Sequence, residues 1–263
     1  MRAWIIVVSS IKACAIALTA ERHPWAGALL FFAPDPWVFA QFVLPLAQGF
    51  GPAATTFATN RREVWLTIDD GPDPATTPRV LELLEAHGAH ATFFVVGARV
   101  EKHPELARRI VALGHTIGNH TQSHPVGDFW CAAPRRIGKE IDLCVRALLA
   151  ADAPFERYFR PPVGVRSPLL DPQLAERGFD LVLWSARGWD GVGRDPAGAL
   201  RRIARRIKPG AILLSHDAGS HPQHRLRFIE LLLDHLSRDG YTCVLPQRAA
   251  LRSVRGAPHP PPG

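Results

Sequence analysis

The chain has 263 residues, of which 47% are hydrophobic and 21% charged, and its formal net charge is +7. The length supports one large domain or two small ones, and the composition excludes a disordered chain, a collagen-like repeat and a polytopic membrane protein. The four cysteines form no CxxC pair, which excludes a zinc ribbon and a disulfide scaffold. The densest basic run, residues 201–207, is typical of a solvated helix face, and no nucleic-acid-binding motif accompanies it, so no nucleic-acid partner is predicted.

Residues 1–60 are predicted to form an apolar N-terminal segment. Residues 4–20 resemble a signal sequence or a membrane anchor, although two serines and a lysine interrupt them and a spanning helix needs about 20 residues. A second apolar stretch, residues 25–46, contains three prolines, which deny it one straight helix. We therefore predict an interfacial or packing segment there and membrane association for the protein. The side of the membrane on which the remainder lies stays open.

Residues 61–250 alternate strand and helix and are predicted to form one domain. Apolar, β-favouring runs indicate the strands, and stretches that begin near proline or end at glycine indicate the helices. The predicted strands are 64–68, 91–96, 115–118, 158–160, 179–184, 211–214 and 241–245. The predicted helices are 79–87, 104–113, 135–150, 169–177, 196–207 and 224–238. The Pro-rich tail, residues 251–263, is predicted to be disordered.

Alternating strands and helices predict an α/β fold with a parallel sheet and helices outside it. The length and the strand count favour a closed or nearly closed barrel over an open doubly wound sheet. Polar clusters follow five of the predicted strands, and the carboxyl ends of parallel strands form one rim in a barrel. These clusters are 69–70, 120–124, 160–162, 184–190 and 215–217. We therefore expect one active site at that rim.

The residue types at this rim predict metal-dependent hydrolysis. His120 and His124 can share a cation, with Asp69 or Asp70 as a third ligand from the neighbouring strand end. Two imidazoles and one carboxylate suit zinc with an open fourth position, although iron, cobalt or nickel could use the same ligands. A metal held there lowers the pKa of bound water towards about 7. The second aspartate is then free to act as the base, and His216 across the rim could serve as the acid.

Five segments resemble, in the same order, the signature motifs of the polysaccharide deacetylase superfamily (NodB homology, carbohydrate esterase family 4). They are Thr67–Pro72 (TIDDGP), His120–His124 (HTQSH), Arg160–Pro162 (RPP), Trp184–Asp190 (WSARGWD) and Leu214–His216 (LSH). The resemblance covers nearly everything after Arg61. It implies a distorted (β/α) barrel of about seven parallel strands, behind the apolar N-terminal extension, that hydrolyses N-acetyl groups from amino sugars.

The resemblance also implies a role for each matching residue. The implied metal ligands are Asp70, His120 and His124. The implied catalytic residues are the base Asp69, the Arg160 that orients it, the acid His216 and the Asp190 that pairs with His216 and tunes its pKa. The implied substrate contacts are the backbone N–H of Val163, which holds the oxyanion together with the metal, and Leu214, which lines the acetyl pocket.

Two positions depart from the family pattern. Val163 stands where the family usually has an aromatic residue, commonly Tyr, and Gly191 stands where a Trp usually follows the aspartate. Valine at position 163 keeps the backbone N–H donor but removes the aromatic side chain from the wall of the sugar site. Trp184 and Trp189 either replace that wall or belong to the core.

The predicted function is removal of N-acetyl groups from an acetylated amino-sugar polymer of the bacterial cell envelope, with one divalent ion. Zinc is favoured over Co²⁺, Ni²⁺ or Fe²⁺. A lipid-linked glycan and a small cyclic amide are alternative substrates, and the apolar first 50 residues favour the lipid-linked sugar over a soluble small molecule. A non-catalytic glycan-binding module is a further alternative, which the presence of base, acid and metal ligands disfavours.

Overall fold

A computed structural model of the chain describes residues 3–20, 23–44, 47 and 49–253. Within these residues the α-helices are α1 (Ala3–Ala20), α2 (Pro24–Phe32), α3 (Asp35–Val43), α4 (Thr77–Ala86), α5 (Gly97–Lys102), α6 (Pro104–Ala112), α7 (Pro134–Ala150), α8 (Leu170–Glu176), α9 (Pro196–Ala204) and α10 (Pro222–Arg238). The strands are β1 (Thr56–Phe57), β2 (Glu63–Asp69), β3 (Ala91–Val95), β4 (Thr116–Asn119), β5 (Tyr158–Phe159), β6 (Asp180–Leu181), β7 (Ala186–Arg187), β8 (Ile212–His216), β9 (Thr242–Cys243) and β10 (Leu251–Arg252).

The main sheet is a curled, parallel sheet of eight strands. Seven of them run in the order β6-β5-β4-β3-β2-β8-β7, and β9 pairs with the start of β2. Among the described strands, β6 and β7 lie at opposite edges and do not pair, so the barrel is curled but not fully closed. Ala54 lies beside the β6 edge, where its N–H donates to Leu181 O and its carbonyl accepts from Leu183 N–H. The predicted distorted (β/α) barrel is confirmed.

Strand β2 shows how the sheet separates its two faces. It is buried from Val64 to Asp69, as expected for a parallel strand that is covered on both sides. Because side chains alternate along a strand, Leu66 and Ile68 face the outer helices, whereas Trp65 lies in the hydrophobic cluster inside the barrel. Asp69 follows Trp65 at even spacing and therefore enters the barrel interior at the end of the strand.

The predicted elements of the barrel domain are present, with ends that differ by a few residues. Helix α5 was not predicted, because six residues are too few to show a helical repeat of apolar positions. Of the strand predicted over 179–184 only β6 forms, and the short strand β7 lies beyond it, in the polar cluster that was predicted to follow the strand. The chain leaves the sheet between them, and the carbonyl oxygens of Val182 and Leu183 accept hydrogen bonds from the Arg160 side chain.

The predicted disorder of residues 251–263 is wrong at its start. Leu251 and Arg252 form β10, which pairs antiparallel with Phe57 and Thr56 of β1, and Leu251 is completely buried in the core. Burial of the Leu251 side chain holds the start of the predicted tail against the barrel. The remainder of the predicted tail, residues 254–263, lies outside the described residues.

The N-terminal segment forms helices that attach to the barrel near one loop. Prolines divide the second apolar stretch into α2 and α3, as predicted. The helices leave large apolar side chains exposed: Ile6, Val7, Ile16, Trp25, Leu29, Phe32, Trp37 and Phe39. Residues Pro24–Val43 are long and apolar enough to cross a membrane, a test that a signal sequence also passes. The buried side chain of Arg166 donates to Gln41 O at the end of α3 (3.1 Å).

Candidate active site

Three side chains at the rim bring their ligand atoms within 4.8 Å of one another: Asp70, His120 and His124. Asp70 Oδ1 lies 3.5 Å from His120 Nε2 and 3.2 Å from His124 Nε2. Two imidazole nitrogens and one carboxylate oxygen form the donor set that catalytic zinc sites use, with a fourth position left for substrate or water. The residues therefore fit one divalent cation.

The two neighbouring aspartates diverge at the end of β2. Asp69 keeps the strand conformation and points into the barrel, whereas Asp70 has a φ of 76°. This left-handed conformation costs a non-glycine residue about 1–2 kcal/mol, and such outliers cluster at functional sites. The turn directs Asp70 towards the histidines while Asp69 stays buried beneath them.

A hydrogen bond to backbone orients the ring of His120, and a backbone contact positions the loop that carries His124. His120 Nδ1 donates to Arg160 O (2.7 Å), which leaves Nε2 free to face Asp70. His124 N–H donates to Thr121 Oγ1 (3.1 Å), in a loop where His124 itself has a φ of 52°. Glu140 of α7 accepts hydrogen bonds from the backbone N–H groups of Gln122 and Ser123. Sequence reasoning missed Glu140, because a glutamate on an amphipathic helix gives no local signal of such a role.

Arg160 is completely buried and connects Asp69 to the opposite wall of the barrel. Its Nη1 donates to Asp69 Oδ1 (2.6 Å) and to Thr67 Oγ1 (2.8 Å), and its other donors reach the Val182 and Leu183 carbonyl oxygens (3.1 Å each). Burial lowers the pKa of the guanidinium, and the Asp69 carboxylate opposes that shift. Asp69 is thereby fixed with Oδ2 directed towards His120 Nε2, 3.8 Å away.

His216 lies at the end of β8 and pairs with Asp190. Asp190 Oδ2 accepts from the His216 backbone N–H (2.8 Å) and lies 3.1 Å from His216 Nδ1. Burial favours the neutral imidazole, but the charge and hydrogen bond of Asp190, followed by the charges of Asp70 and Asp69, raise the pKa of His216 to about 9. The ring is therefore a cation at neutral pH, the form that a general acid needs.

Two of the expected ligands, Asp70 and His124, have the protonation states that a metal requires. Burial, and next the neighbouring charge of His120, lower the pKa of His124 to about 4, so this ring is neutral at pH 7. Burial tends to raise the pKa of Asp70, but the hydrogen bond from His120 and the charges of His216, His120 and His124 outweigh it and hold that pKa well below its ordinary value.

One open pocket joins all these groups. It is lined by Asp69, Asp70, His120, His124, Val163, Trp184, Arg187, Trp189, Gly191, Val192, Leu214 and His216. Trp184 is 4% exposed and belongs to the core with only its edge at the pocket, whereas Trp189 is 49% exposed at the mouth. Val163 has a φ of 50° and also lies at the mouth, and the buried Leu214 forms part of the wall. The structure thus places every predicted site residue at this pocket or, for Arg160 and Asp190, directly behind it.

Gly191 lies directly against the ring of His216. A Cβ atom at this position would lie 2.9 Å from His216 Cε1 and 3.1 Å from both ring nitrogens. Any side chain there would displace the imidazole from its place beside the pocket. Arg225 of α10 donates to Gly191 O (2.9 Å) and holds this loop against the helix. Neither Arg225 nor the pocket residue Arg187 was singled out from the sequence.

Comparison with known proteins places this site in context. Residues 57–182 match the family model described as polysaccharide deacetylase. The chain is 36% identical to a chitooligosaccharide deacetylase from Bradyrhizobium sp. (strain ANU 289), over 68% of this chain and 87% of that protein. It is 32% identical to a peptidoglycan-N-acetylglucosamine deacetylase from Bacillus cereus, over 70% and 86%. The solved structure of the peptidoglycan deacetylase PdaC from Bacillus subtilis superposes with a TM-score of 0.64 at 29% identity, over 70% and 88%.

Proposed function

The chain belongs to the polysaccharide deacetylase family and is a hydrolase of carbon–nitrogen bonds, and from this we propose that it removes N-acetyl groups from N-acetylglucosamine units of a cell-envelope glycan. The family resemblance drawn from the five motifs is confirmed. The names of the two relatives, one acting on chitooligosaccharides and one on peptidoglycan, support an amino-sugar polymer as the substrate.

We assign one divalent ion, zinc by preference, to Asp70, His120 and His124. When bound, such an ion polarises the amide carbonyl and lowers the pKa of water. The N,N,O donor set and the ionised and neutral forms described above support this assignment.

Asp69 serves as the general base in this proposal and His216 as the general acid. The free oxygen of Asp69 takes the proton of the attacking water, while Arg160 holds the carboxylate in place through its hydrogen bond to Oδ1. His216 gives its proton to the nitrogen of the departing amino sugar. The backbone N–H of Val163 faces the developing oxyanion, and Leu214 contacts the acetyl methyl group.

One observation carries the proposal: a buried aspartate and a histidine, each paired with a buried partner of opposite charge, face the three candidate metal ligands. Asp69 forms an ion pair with the completely buried Arg160, and the charge and hydrogen bond of Asp190 raise the pKa of His216 to about 9. Environments that fix one group as base and another as acid are the usual arrangement for acid–base catalysis near neutral pH.

The test separates the two aspartates by role. Amine release from chitin oligomers, peptidoglycan and lipid-linked sugars is measured with and without a chelator, together with metal content. Asp70→Asn should lose metal and recover partly in excess metal, because a neutral amide is a poorer partner for a dication. Asp69→Asn should keep its metal and lose about 10²–10⁴-fold in turnover.

Asp73→Asn is the matched control, since Asp73 pairs with Arg99 and does not line the pocket. It should retain both metal and turnover. Metal loss in Asp69→Asn with normal metal in Asp70→Asn would exchange the two roles, and chelator-insensitive release would remove the metal from the reaction.

We also propose that the protein is membrane-associated in the cell envelope, with a lipid-linked glycan as the second candidate substrate. The exposed apolar face of α1 to α3 supports this, as does Arg166, which joins the end of α3 to the loop three residues after Val163. Removal of residues 1–20 should shift the protein from the membrane fraction towards the soluble fraction while metal binding persists. Full-length, unprocessed protein that is already soluble would contradict the proposal.

A further inference from the structure

Arg187 lines the pocket but has no role in the chemistry proposed above. It is the last residue of β7 and pairs in register with Leu214 of β8, the residue expected to contact the acetyl group. Its side chain therefore lies in the wall of the pocket beside Leu214, and among the described residues it forms no hydrogen bond or ion pair with Asp69 or Asp190. Such a position is suited to contact a part of the substrate that does not react.

Two indole rings hold the Arg187 side chain in place. Its Cζ lies 3.4 Å from the centroid of the Trp189 ring and 5.3 Å from that of Trp184. Trp189 adopts a φ of 66°, which costs a bulky residue about 1–2 kcal/mol and persists only where the surroundings require it. Aromatic faces attract a guanidinium but leave its in-plane N–H donors unused. The arginine is thus oriented in advance.

The charge of Arg187 has no carboxylate partner within 4 Å among the residues that the structure describes. The buried carboxylates of the site are already engaged, Asp69 with Arg160 and Asp190 with His216. Burial, and next the positive charge of Arg206, lower the pKa of Arg187. A half-buried cation without a counter-ion is unfavourable, and an anion bound in the pocket would relieve it.

We infer that Arg187 binds an anionic substituent of the substrate, a carboxylate or a phosphate carried by the amino sugar or its neighbour. The planar guanidinium can donate two parallel hydrogen bonds to either group. The inference rests on the proposed function, because it uses the same pocket, and deepens it: the enzyme selects a charged glycan over a neutral one.

The test compares kcat/KM of the holoenzyme on charged and neutral substrates. The neutral substrates are chitotetraose and the methyl glycoside of N-acetylglucosamine. The carboxylate substrate is a disaccharide of N-acetylglucosamine and N-acetylmuramic acid, and the phosphate substrate is N-acetylglucosamine 1-phosphate. Wild type should prefer at least one charged substrate, and the preferred one identifies the source of the anion.

Arg187→Gln should reduce the ratio of charged to neutral kcat/KM by about 10- to 100-fold, the range for a charge-assisted hydrogen bond. Arg187→Lys, which keeps the charge but loses the planar fork, should fall between the two. Arg206→Gln is the matched control, because it removes a nearby charge that does not line the pocket. It should change the ratio by less than about twofold, as a screened surface charge does.

An equal fall on charged and neutral substrates in Arg187→Gln would overturn the inference, as would a wild-type preference for the neutral ones. If wild type releases amine from none of the substrates, the proposed function fails independently. The inference is then decided by the quenching of tryptophan fluorescence with N-acetylglucosamine 1-phosphate, since two indoles contact Arg187. Weaker binding in Arg187→Gln supports it, and equal binding overturns it.

Discussion

Asp190→Asn should lower the pKa of His216 while leaving the metal ligands untouched. The carboxylate is the largest single cause that raises this pKa, and Asp190 Oδ2 lies 3.1 Å from Nδ1. Without it, burial favours the neutral ring, so the pKa should fall from about 9 to near or below the ordinary value of 6.5. At 1.36 kcal/mol for each pKa unit, the pair stabilises the protonated ring by about 3 kcal/mol.

The assay is the pH dependence of kcat/KM together with an NMR titration of the His216 ring. Because the acid must be protonated, wild-type activity should fall on the alkaline side of its pH profile, and activity of the variant should fall at a pH at least about two units lower. A metal ion bound to Asp70 would cancel the contribution of Asp70 to the pKa of His216 in wild type and in the variant alike. The difference between the two pKa values therefore reports the contribution of Asp190. An unchanged alkaline limb and an unchanged ring titration in Asp190→Asn would refute the reasoning.

The same raised pKa affects folding stability. The contribution of the protonated His216 is fully present below the unfolded pKa of 6.5 and is lost as the pH rises through about 9. Denaturant unfolding should therefore show a decline in the free energy of unfolding over that window, and this decline should be smaller in Asp190→Asn.

Three further variants test other parts of the site. A His120→Ala/His124→Ala double variant should lose its metal in elemental analysis, and full occupancy would contradict the ligand assignment. Gly191→Ala should lower kcat about tenfold with metal retained, because a Cβ there would lie 2.9 Å from the ring of His216; an unchanged kcat would show that the ring can shift harmlessly. Arg160→Ala should lower the free energy of unfolding by about 3–5 kcal/mol in denaturant titrations, since it leaves a buried carboxylate unpaired, and a loss below about 1 kcal/mol would contradict this.

Sequence reasoning could bring the main site residues together because one rule connects chain position to space. In a parallel barrel, residues that follow strands meet at one rim, however far apart they are in the chain. Asp70, His120 and His216 follow β2, β4 and β8 or end them, and the structure places all three at one pocket. The repeated alternation of strand and helix was enough to predict that placement.

The features that could not be predicted from the sequence depend on long-range contacts, which leave no repeating pattern of apolar residues in the local sequence. Strand β10 pairs Leu251, which is completely buried, with Phe57, a residue almost two hundred positions earlier in the chain. Arg187 lies in a segment that was predicted as a loop after one longer strand, and only the break between β6 and β7 turns it towards the pocket. Glu140 contacts the metal-site loop from a helix whose pattern indicates nothing beyond an exposed face.

Arg160 contributes both to the structure of the barrel and to the candidate active site. Its guanidinium donates to the carbonyl oxygens of Val182 and Leu183, which follow the edge strand β6, and also to Asp69, the proposed base. Loss of His216, which lines the pocket, would affect the proposed chemistry, whereas loss of Arg160 would also leave the buried Asp69 and two buried carbonyl oxygens without their donor. Retention of that arginine in a homologous sequence indicates an intact barrel, and it is not evidence of an active enzyme.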